Sequence, residues 1–131
     1  MSDTSISVWA DAWIKNWDLD SKDPEQKKFA WATDKAWEAC FYNPELAWLL
    51  VEEISRRELD NKVASIFAAG PLEDLLSKHG ELMIERFETK AKAEPKFANI
   101  LGGVWQNDMT EEIWQRVQAV WDRRGWDGVP E

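Results

Sequence analysis

Apolar residues recur at helical spacing along most of the chain. The first such stretch carries Ile6, Trp9, Trp13 and Trp17 at intervals of three or four residues, with polar residues between them. Residues at these intervals lie on one face of an α-helix. The pattern therefore predicts a first helix over residues 5–18, with the tryptophan face buried.

Start signals for further helices separate the later apolar stretches. Asp23-Pro24 combines an N-cap residue with a proline for the first helical position, and it predicts a second helix that runs to Tyr42. Asn43-Pro44 and Glu94-Pro95 repeat this signal, and Thr110 precedes a last amphipathic stretch. Each of these positions is predicted to begin a helix.

Glycine and proline divide the middle of the chain. Gly70-Pro71 is predicted to end one helix and begin the next, and Gly80 to close a helix in the left-handed conformation. No stretch alternates apolar and β-branched residues as a half-buried strand does. The pattern predicts an all-α fold of seven or eight short helices in irregular stacked helical hairpins, resembling an α-α superhelix.

The chain length favours one domain. A chain of 131 residues is large enough to bury roughly two thirds of its unfolded surface. We predict a single helical domain over residues 1–131, with 126–131 as a short C-terminal tail. The similarity of NPELAWLL at 43–50 to EPKFANIL at 94–101 leaves open whether a helical hairpin is duplicated.

Burial explains most of the ten tryptophans, each of which can bury on the order of 200 Å². Trp31 and Trp48 lie away from the apolar faces of their predicted helices. They are either sandwiched between two neighbouring helices, which is the favoured interpretation, or exposed as anchors for a partner. The tryptophans on predicted apolar faces include Trp9, Trp13, Trp37, Trp105, Trp114 and Trp121.

The charge disfavours several classes of partner. Sixteen basic and 25 acidic residues give a net charge of −9 and a pI near 4.7, which opposes binding to nucleic acids and to anionic membranes. The acids are scattered, so solubility explains most of them, but a basic protein partner is favoured. The single cysteine, Cys40, and the lack of a signal-peptide pattern predict a cytoplasmic location.

Residues suited to catalysis are few. His79 is the only histidine, and there is neither a pair of cysteines nor a phosphate-binding glycine loop, so we predict no metal and no cofactor. His79 shares a predicted apolar face with three leucines, which favours a packed histidine at a helix end. An enzyme would instead have to pair His79 with Glu73 or Asp74 as acid and base in a cleft.

Gly102 and Gly103 interrupt an apolar stretch that is otherwise helical. Each glycine costs a helix about 1 kcal/mol relative to alanine, so we expect another backbone or a bulky ring, such as that of Trp105, to approach there. The alternative is that the two glycines form the floor of a small-molecule pocket with Gln106 and Asn107 at its polar edge. Close packing is the favoured interpretation.

Several of these segments together resemble a known family. They are DAWI (11–14), NPELAW (43–48), AAGPLEDLLSKHG (68–80), EPKF (94–97), LGGVWQNDM (101–109) and IWQRV (113–117). The chain resembles a bacterial family of small all-helical proteins known as domain of unknown function six-eight-six-nine. The resemblance implies a bacterial cytoplasmic setting and no established activity, and it draws attention to Gly70–Asp74 and Gly102–Asn107.

These observations favour a non-catalytic protein-binding module. Its most specific form is an immunity or antitoxin-like factor that neutralises a basic partner such as a nuclease toxin. The alternative is a small-molecule binding protein, or an enzyme with a cleft near His79 and Trp105. The candidate partner-binding residues are Trp31, Trp48, Glu52, Glu53, Glu81, Glu85 and Glu88.

Overall fold

The computed structural model describes residues 5–126 of the chain. Of these residues 75% are helical and none belongs to a strand, which confirms the predicted all-α class. A short 3₁₀ turn, Gln26–Phe29, precedes the second helix, and a π-helical segment, Ala68–Leu72, joins the fourth helix to the fifth. The α-helices are α1 (Ile6–Asp18), α2 (Ala30–Tyr42), α3 (Pro44–Ser55), α4 (Asn61–Phe67), α5 (Glu73–Ala93), α6 (Pro95–Leu101) and α7 (Glu111–Val120).

Gly70-Pro71 does not end a helix, because it lies in the π-helical segment, and helical backbone continues from Asn61 to Lys78. The wider π turn leaves out one backbone hydrogen bond, which suits a proline that has no N–H to donate. Within residues 5–126 the chain therefore has six helical runs, if the run that bends at His79 is counted once. The prediction of seven or eight helices is wrong for this reason.

Gly80 follows a break in α5 but is not in the left-handed conformation that was predicted for it. Two helical segments of α5 meet at His79, whose φ of −135° and ψ of 34° are not helical. A Cβ atom on Gly80 would lie 3.0 Å from Cγ1 of Ile113, so the glycine lets α7 pack closely against α5. Among the glycines that the structure describes, the left-handed conformation occurs at Gly125.

Three of the predicted helix starts are confirmed by their N-caps. The side chains of Ser5, Asn43 and Thr110 accept hydrogen bonds from backbone N–H groups in the first turns of α1, α3 and α7. Asp23 instead caps a tight turn, in which its carboxylate accepts from the Glu25 N–H at 2.9 Å. The α-helix after it consequently begins at Ala30, later than predicted.

Residues up to Ile66 form the first of two compact units. In this unit α1 packs against α2, α3 and the 3₁₀ turn. Trp9 and Trp13 are fully buried, as predicted, and Nε1 of Trp9 donates to the carbonyl oxygen of Ala32 at 2.9 Å. The tryptophan face of α1 is thus the centre of the core of the first unit.

Residues from Phe67 onward form the second unit, in which α5 packs against α6, α7 and the π-helical segment. The rings of Phe87 and Phe97 lie 5.9 Å apart in its core. Helix α6 ends at Leu101, so the glycine pair that follows lies in a turn and not inside a helix. Whether the whole chain is one domain stays a prediction, and residues 127–131 of the predicted tail lie outside the described residues.

Candidate functional site

The tryptophans occupy two different environments. Trp9 and Trp13 are buried as predicted, but Trp37 is 55% exposed and Trp105 is 64% exposed, so the prediction that burial explains them is wrong. The candidate anchor Trp31 is 40% exposed, which is not the sandwiched position that we favoured. Trp48, Trp114 and Trp121 are half-buried.

Helix α2 places its small residues inside and its large rings outside. Its buried positions bring α2 close to α1 and α3, which both pack against it. A bulky ring at these positions would hold the helices apart, so the aromatic residues of α2 remain at the surface. The buried residues of α2 are Ala32, Ala36, Ala39 and Cys40.

Three aromatic residues near the C-terminal end of α2 form a continuous cluster, which we call the α2 aromatic face: Trp37, Phe41 and Tyr42. The ring centroids of Trp37 and Phe41 lie 4.4 Å apart, and those of Phe41 and Tyr42 lie 6.3 Å apart. Tyr42 is 77% exposed. The cluster is a preformed apolar surface whose indole and phenol groups stay accessible to water.

The charges beside the α2 aromatic face are negative. Asp34 and Glu38 are exposed on the same helix, and neither forms an ion pair with any residue in the described part of the chain. The one lysine of α2, Lys35, lies over the ring of the buried Trp9, with Nζ 4.5 Å from the ring centroid. The outer side of α2 therefore combines aromatic rings with two unpaired carboxylates.

Two of the acids predicted to attract a partner are held by arginines of the chain itself. Glu53 pairs with Arg56 and with Arg57, and Glu88 accepts two hydrogen bonds from Arg116 at 2.6 and 2.9 Å. These hydrogen bonds lower the pKa of both carboxyl groups. Of the other predicted acids, Glu52 is half-buried, whereas Glu81 and Glu85 are exposed.

A buried carboxylate connects the two segments to which the family resemblance drew attention. Glu73 is only 9% exposed, and its Oε2 accepts a hydrogen bond from the backbone N–H of Trp105 at 3.2 Å. The side chain of Asn107 also hydrogen-bonds this carboxylate, but burial has the larger effect and raises the pKa of Glu73. Glu73 therefore anchors the loop that presents the exposed Trp105.

The space above the glycine pair is filled. A Cβ on Gly102 would lie 2.9 Å from the carbonyl carbon of Asp122, and one on Gly103 would lie 2.5 Å from the ring of Trp126. Nε1 of Trp126 donates to the carbonyl oxygen of Asn99 at 2.6 Å. The glycines thus allow close packing, as favoured, but Trp126 and a backbone segment approach them where Trp105 was suggested. The pair does not form the floor of an open pocket.

The remaining predicted pocket residues lie in different surroundings. His79 lines an open pocket of about 340 Å³ at the bend of α5, and neither Glu73 nor Asp74 lines this pocket. Asp74 is half-buried, and burial raises its pKa. Gln106 is used inside its own loop, where its side-chain amide donates to the carbonyl oxygen of Met109. The acid and base pair that an enzyme was expected to use is therefore not assembled in this pocket.

Two further observations apply to residues 5–126. No group of three or more histidine, cysteine, aspartate or glutamate residues there is placed to hold a metal ion. No helix in this range combines the length and the apolar character needed to cross a membrane.

Comparison with known proteins gives one match. The model of a protein family described as "Family of unknown function (DUF6869)" matches residues 19–125, which is most of the chain. This is the family whose segments the sequence resembles. No curated protein and no solved structure matches the chain.

Proposed function

We infer, since this chain belongs to the family of unknown function DUF6869, that its role must be sought in its own surfaces. We propose that the protein binds another protein through the α2 aromatic face. The observation that carries this proposal is the clustering of Trp37, Phe41 and Tyr42 at the surface of a helix whose small residues are buried. Tryptophan and tyrosine are the side chains most enriched among residues that dominate binding energy at interfaces.

The partner is a basic protein. Asp34 and Glu38 lie on the same helix as the aromatic rings and form no ion pair within residues 5–126, and the whole chain carries a net charge of −9. A lysine or arginine of the partner would gain both a carboxylate and the face of an aromatic ring, which attracts cations. Trp31, exposed nearer the start of α2, extends the surface that a larger partner could cover.

The specific form of the proposal is a non-catalytic immunity or antitoxin-like factor in the bacterial cytoplasm. Such a factor neutralises a basic partner, such as a nuclease toxin, by covering it. Two features support this form: the acidity of the chain and the exposed aromatic surface of α2.

Site-specific photocrosslinking tests the proposed surface. Tyr42 is replaced by benzoylphenylalanine, which keeps an aromatic side chain at an exposed position, and the protein is irradiated in extracts of the cells that natively produce it. We expect a discrete crosslink to a basic protein. The matched control carries the same crosslinker at Trp105, which is also exposed but lies in the second unit.

The pattern of crosslinks decides the outcome. A basic protein crosslinked from position 42, and not from position 105, supports the proposal. Crosslinks to an acidic protein, to nucleic acid, or to the same set of proteins from both positions would refute it.

A further inference from the structure

We propose that the exposed side of α2 recognises arginine side chains in preference to lysine. This inference rests on the proposed function, and it names the chemistry by which that surface selects a basic protein. The planar guanidinium group of an arginine would donate hydrogen bonds to the carboxylates of Asp34 and Glu38 and lie against the ring of Trp37. The order of the exposed residues along α2 supports this assignment.

The exposed side of α2 combines two acids with aromatic residues. Asp34 and Glu38 are four residues apart in a regular helix, so their Cβ atoms lie about 5–6 Å from each other. Trp37 is three residues after Asp34. Phe41 and Tyr42 are three and four residues after Glu38. Because residues at these intervals are neighbours on a helix surface, each of the two acids has an aromatic neighbour.

The two acids have no cation of their own. Like charges four residues apart repel each other, so both carboxylates are stabilised by a cation that reaches between them. Lys35 is three residues before Glu38, but its Nζ lies 4.5 Å from the ring centroid of Trp9, and it forms no ion pair within residues 5–126. The partner is therefore the source of the cation.

The ring of Trp37 is held in place and remains accessible. Its centroid lies 4.4 Å from that of Phe41, and the two rings are tilted by 38°. Trp37 is nevertheless 55% exposed, so part of its ring is open to a partner. Cations are attracted to the faces of aromatic rings, and most strongly to tryptophan. Since Trp37 neighbours Asp34 on the helix, a cation at the carboxylates also lies within reach of this ring.

This combination of groups favours arginine over lysine. The guanidinium group is planar and its N–H donors point outward in a fixed fork, so it can bond carboxylates at its edge while its flat face stacks on an aromatic ring. The ammonium group of lysine is a compact point charge that binds water more strongly and has no flat face to stack. Two carboxylates and an indole within about one helical turn thus match a guanidinium group.

Calorimetric titration of the intact chain with nona-arginine and with nona-lysine tests the preference. The two peptides have the same length and charge, so non-specific attraction to the acidic chain is the same for both. We expect nona-arginine to bind at least about tenfold more tightly than nona-lysine at physiological ionic strength. This comparison uses the wild type alone, so it does not depend on the folding of a variant.

Substitution of the acids locates the site. The double variant Asp34→Asn, Glu38→Gln should bind nona-arginine about tenfold or more weakly. The matched control is Glu81→Gln, Glu85→Gln, which removes the same two charges from an exposed pair four residues apart on α5. This control should retain the preference for nona-arginine, because the overall charge changes equally in the two double variants.

Substitution of one ring tests the stacking contact. Trp37→Ala should reduce the preference for nona-arginine over nona-lysine to less than about twofold, because the carboxylates alone attract both cations. Trp105→Ala removes another exposed indole and should leave the preference unchanged. A preference that Trp37→Ala and Trp105→Ala affect alike would contradict the proposed contact.

The proposal is overturned if the wild type binds the two peptides alike, or if the two double variants weaken nona-arginine binding equally. The titration needs no cell extract, so its outcome is separate from that of photocrosslinking. Equal binding of the peptides, together with a crosslink from position 42 to a basic protein, would overturn the preference for arginine alone. A preference for arginine, together with crosslinks that contradict the proposed partner, would show the reverse.

Discussion

The two compact units of the chain follow their local sequence signals to different degrees. In the first unit, Ser5 and Asn43 begin helices as N-caps, and the tryptophans at the centre of α1 are buried, as the spacing predicts. In the second unit, Gly70-Pro71 looks like a helix end, yet helical backbone runs through it, and Gly80 follows a bend in α5 without adopting the left-handed conformation of a helix end. The difference shows that a glycine or proline can have a role other than ending a helix.

The glycines of the second unit illustrate this point. Gly80 accommodates Ile113, Gly102 accommodates the backbone at Asp122, and Gly103 accommodates the ring of Trp126. Each contact comes from a residue at least 20 positions away in the sequence. The glycines there serve packing between elements, whereas the signals of the first unit act within one helical turn.

The largest expected effect lies in the first unit, where the same residue type occupies opposite environments. Trp9→Ala removes a fully buried ring and its hydrogen bond to Ala32, so we expect the free energy of unfolding to fall by about 3–5 kcal/mol. Trp37→Ala removes an exposed ring and should change it by about 0.5 kcal/mol or less. Chemical denaturation of both variants measures the difference. Equal losses would show that Trp37 belongs to the core.

In the second unit we predict a similar contrast between the effects of two glycine substitutions on stability. Gly102→Ala forces a methyl group against the backbone of Asp122 and should cost about 1–3 kcal/mol. A Cβ atom added at Gly70 would have no neighbour within 4 Å, and Gly70 lies in helical backbone. Gly70→Ala should therefore be neutral or stabilise the protein by up to about 1 kcal/mol. Thermal unfolding of the two variants ranks them. A greater loss at Gly70 would mean that this glycine, not Gly102, is required by the packing.

One N-cap in each unit compares the strength of local signals directly. Asn43→Ala and Thr110→Ala each remove a side-chain oxygen that accepts a backbone N–H, and each should cost about 1 kcal/mol. Similar losses in denaturation experiments would show that capping acts alike in both units. If Asn43→Ala lowers the stability and Thr110→Ala does not, tertiary contacts alone stabilise the start of α7.

The smallest expected effect is a dependence on pH in the second unit. Because burial raises the folded-state pKa of Glu73 above its usual 4.5, protonation favours the folded state at this site. The contribution of Glu73 to stability is complete below about pH 4.5, and it declines as the pH rises through the raised folded-state pKa. Wild type should therefore lose stability relative to Glu73→Gln as the pH rises above 4.5.

Glu88→Gln provides the opposite slope as a control. The hydrogen bonds from Arg116 lower the pKa of Glu88 in the folded state. The contribution of Glu88 to stability is therefore present above its unfolded-state pKa, and it is lost as the pH falls through the lowered folded-state pKa. Unfolding curves measured on both sides of the ordinary carboxyl pKa of 4.5 separate the two carboxyl groups. Parallel slopes for both variants would contradict the environments described for them.

Local patterns predicted the helical class, the first helix and the N-caps Asn43 and Thr110, because each depends on residues within a few positions of one another. The same patterns misplaced Trp37, since apolar character ranks tryptophan above alanine whereas α2 packs through its alanines and Cys40. They also missed Trp126 beside Gly103 and the bond from Trp105 to Glu73. Both contacts join segments more than twenty residues apart, so local patterns contain no signal for them.

The central claim is that the exposed aromatic residues of α2 bind a basic protein, and quantitative affinity capture tests it most directly. Wild type, Trp37→Ser and Trp105→Ser are immobilised in parallel, incubated with extracts of the native cells, and compared by mass spectrometry at low and high salt. We predict that wild type and Trp105→Ser retain a basic protein, and that Trp37→Ser retains at least about tenfold less of it. Less of this protein should bind at high salt. The claim is contradicted if Trp37→Ser retains every protein that wild type captures. It is also contradicted if an acidic protein is the one whose capture depends on Trp37.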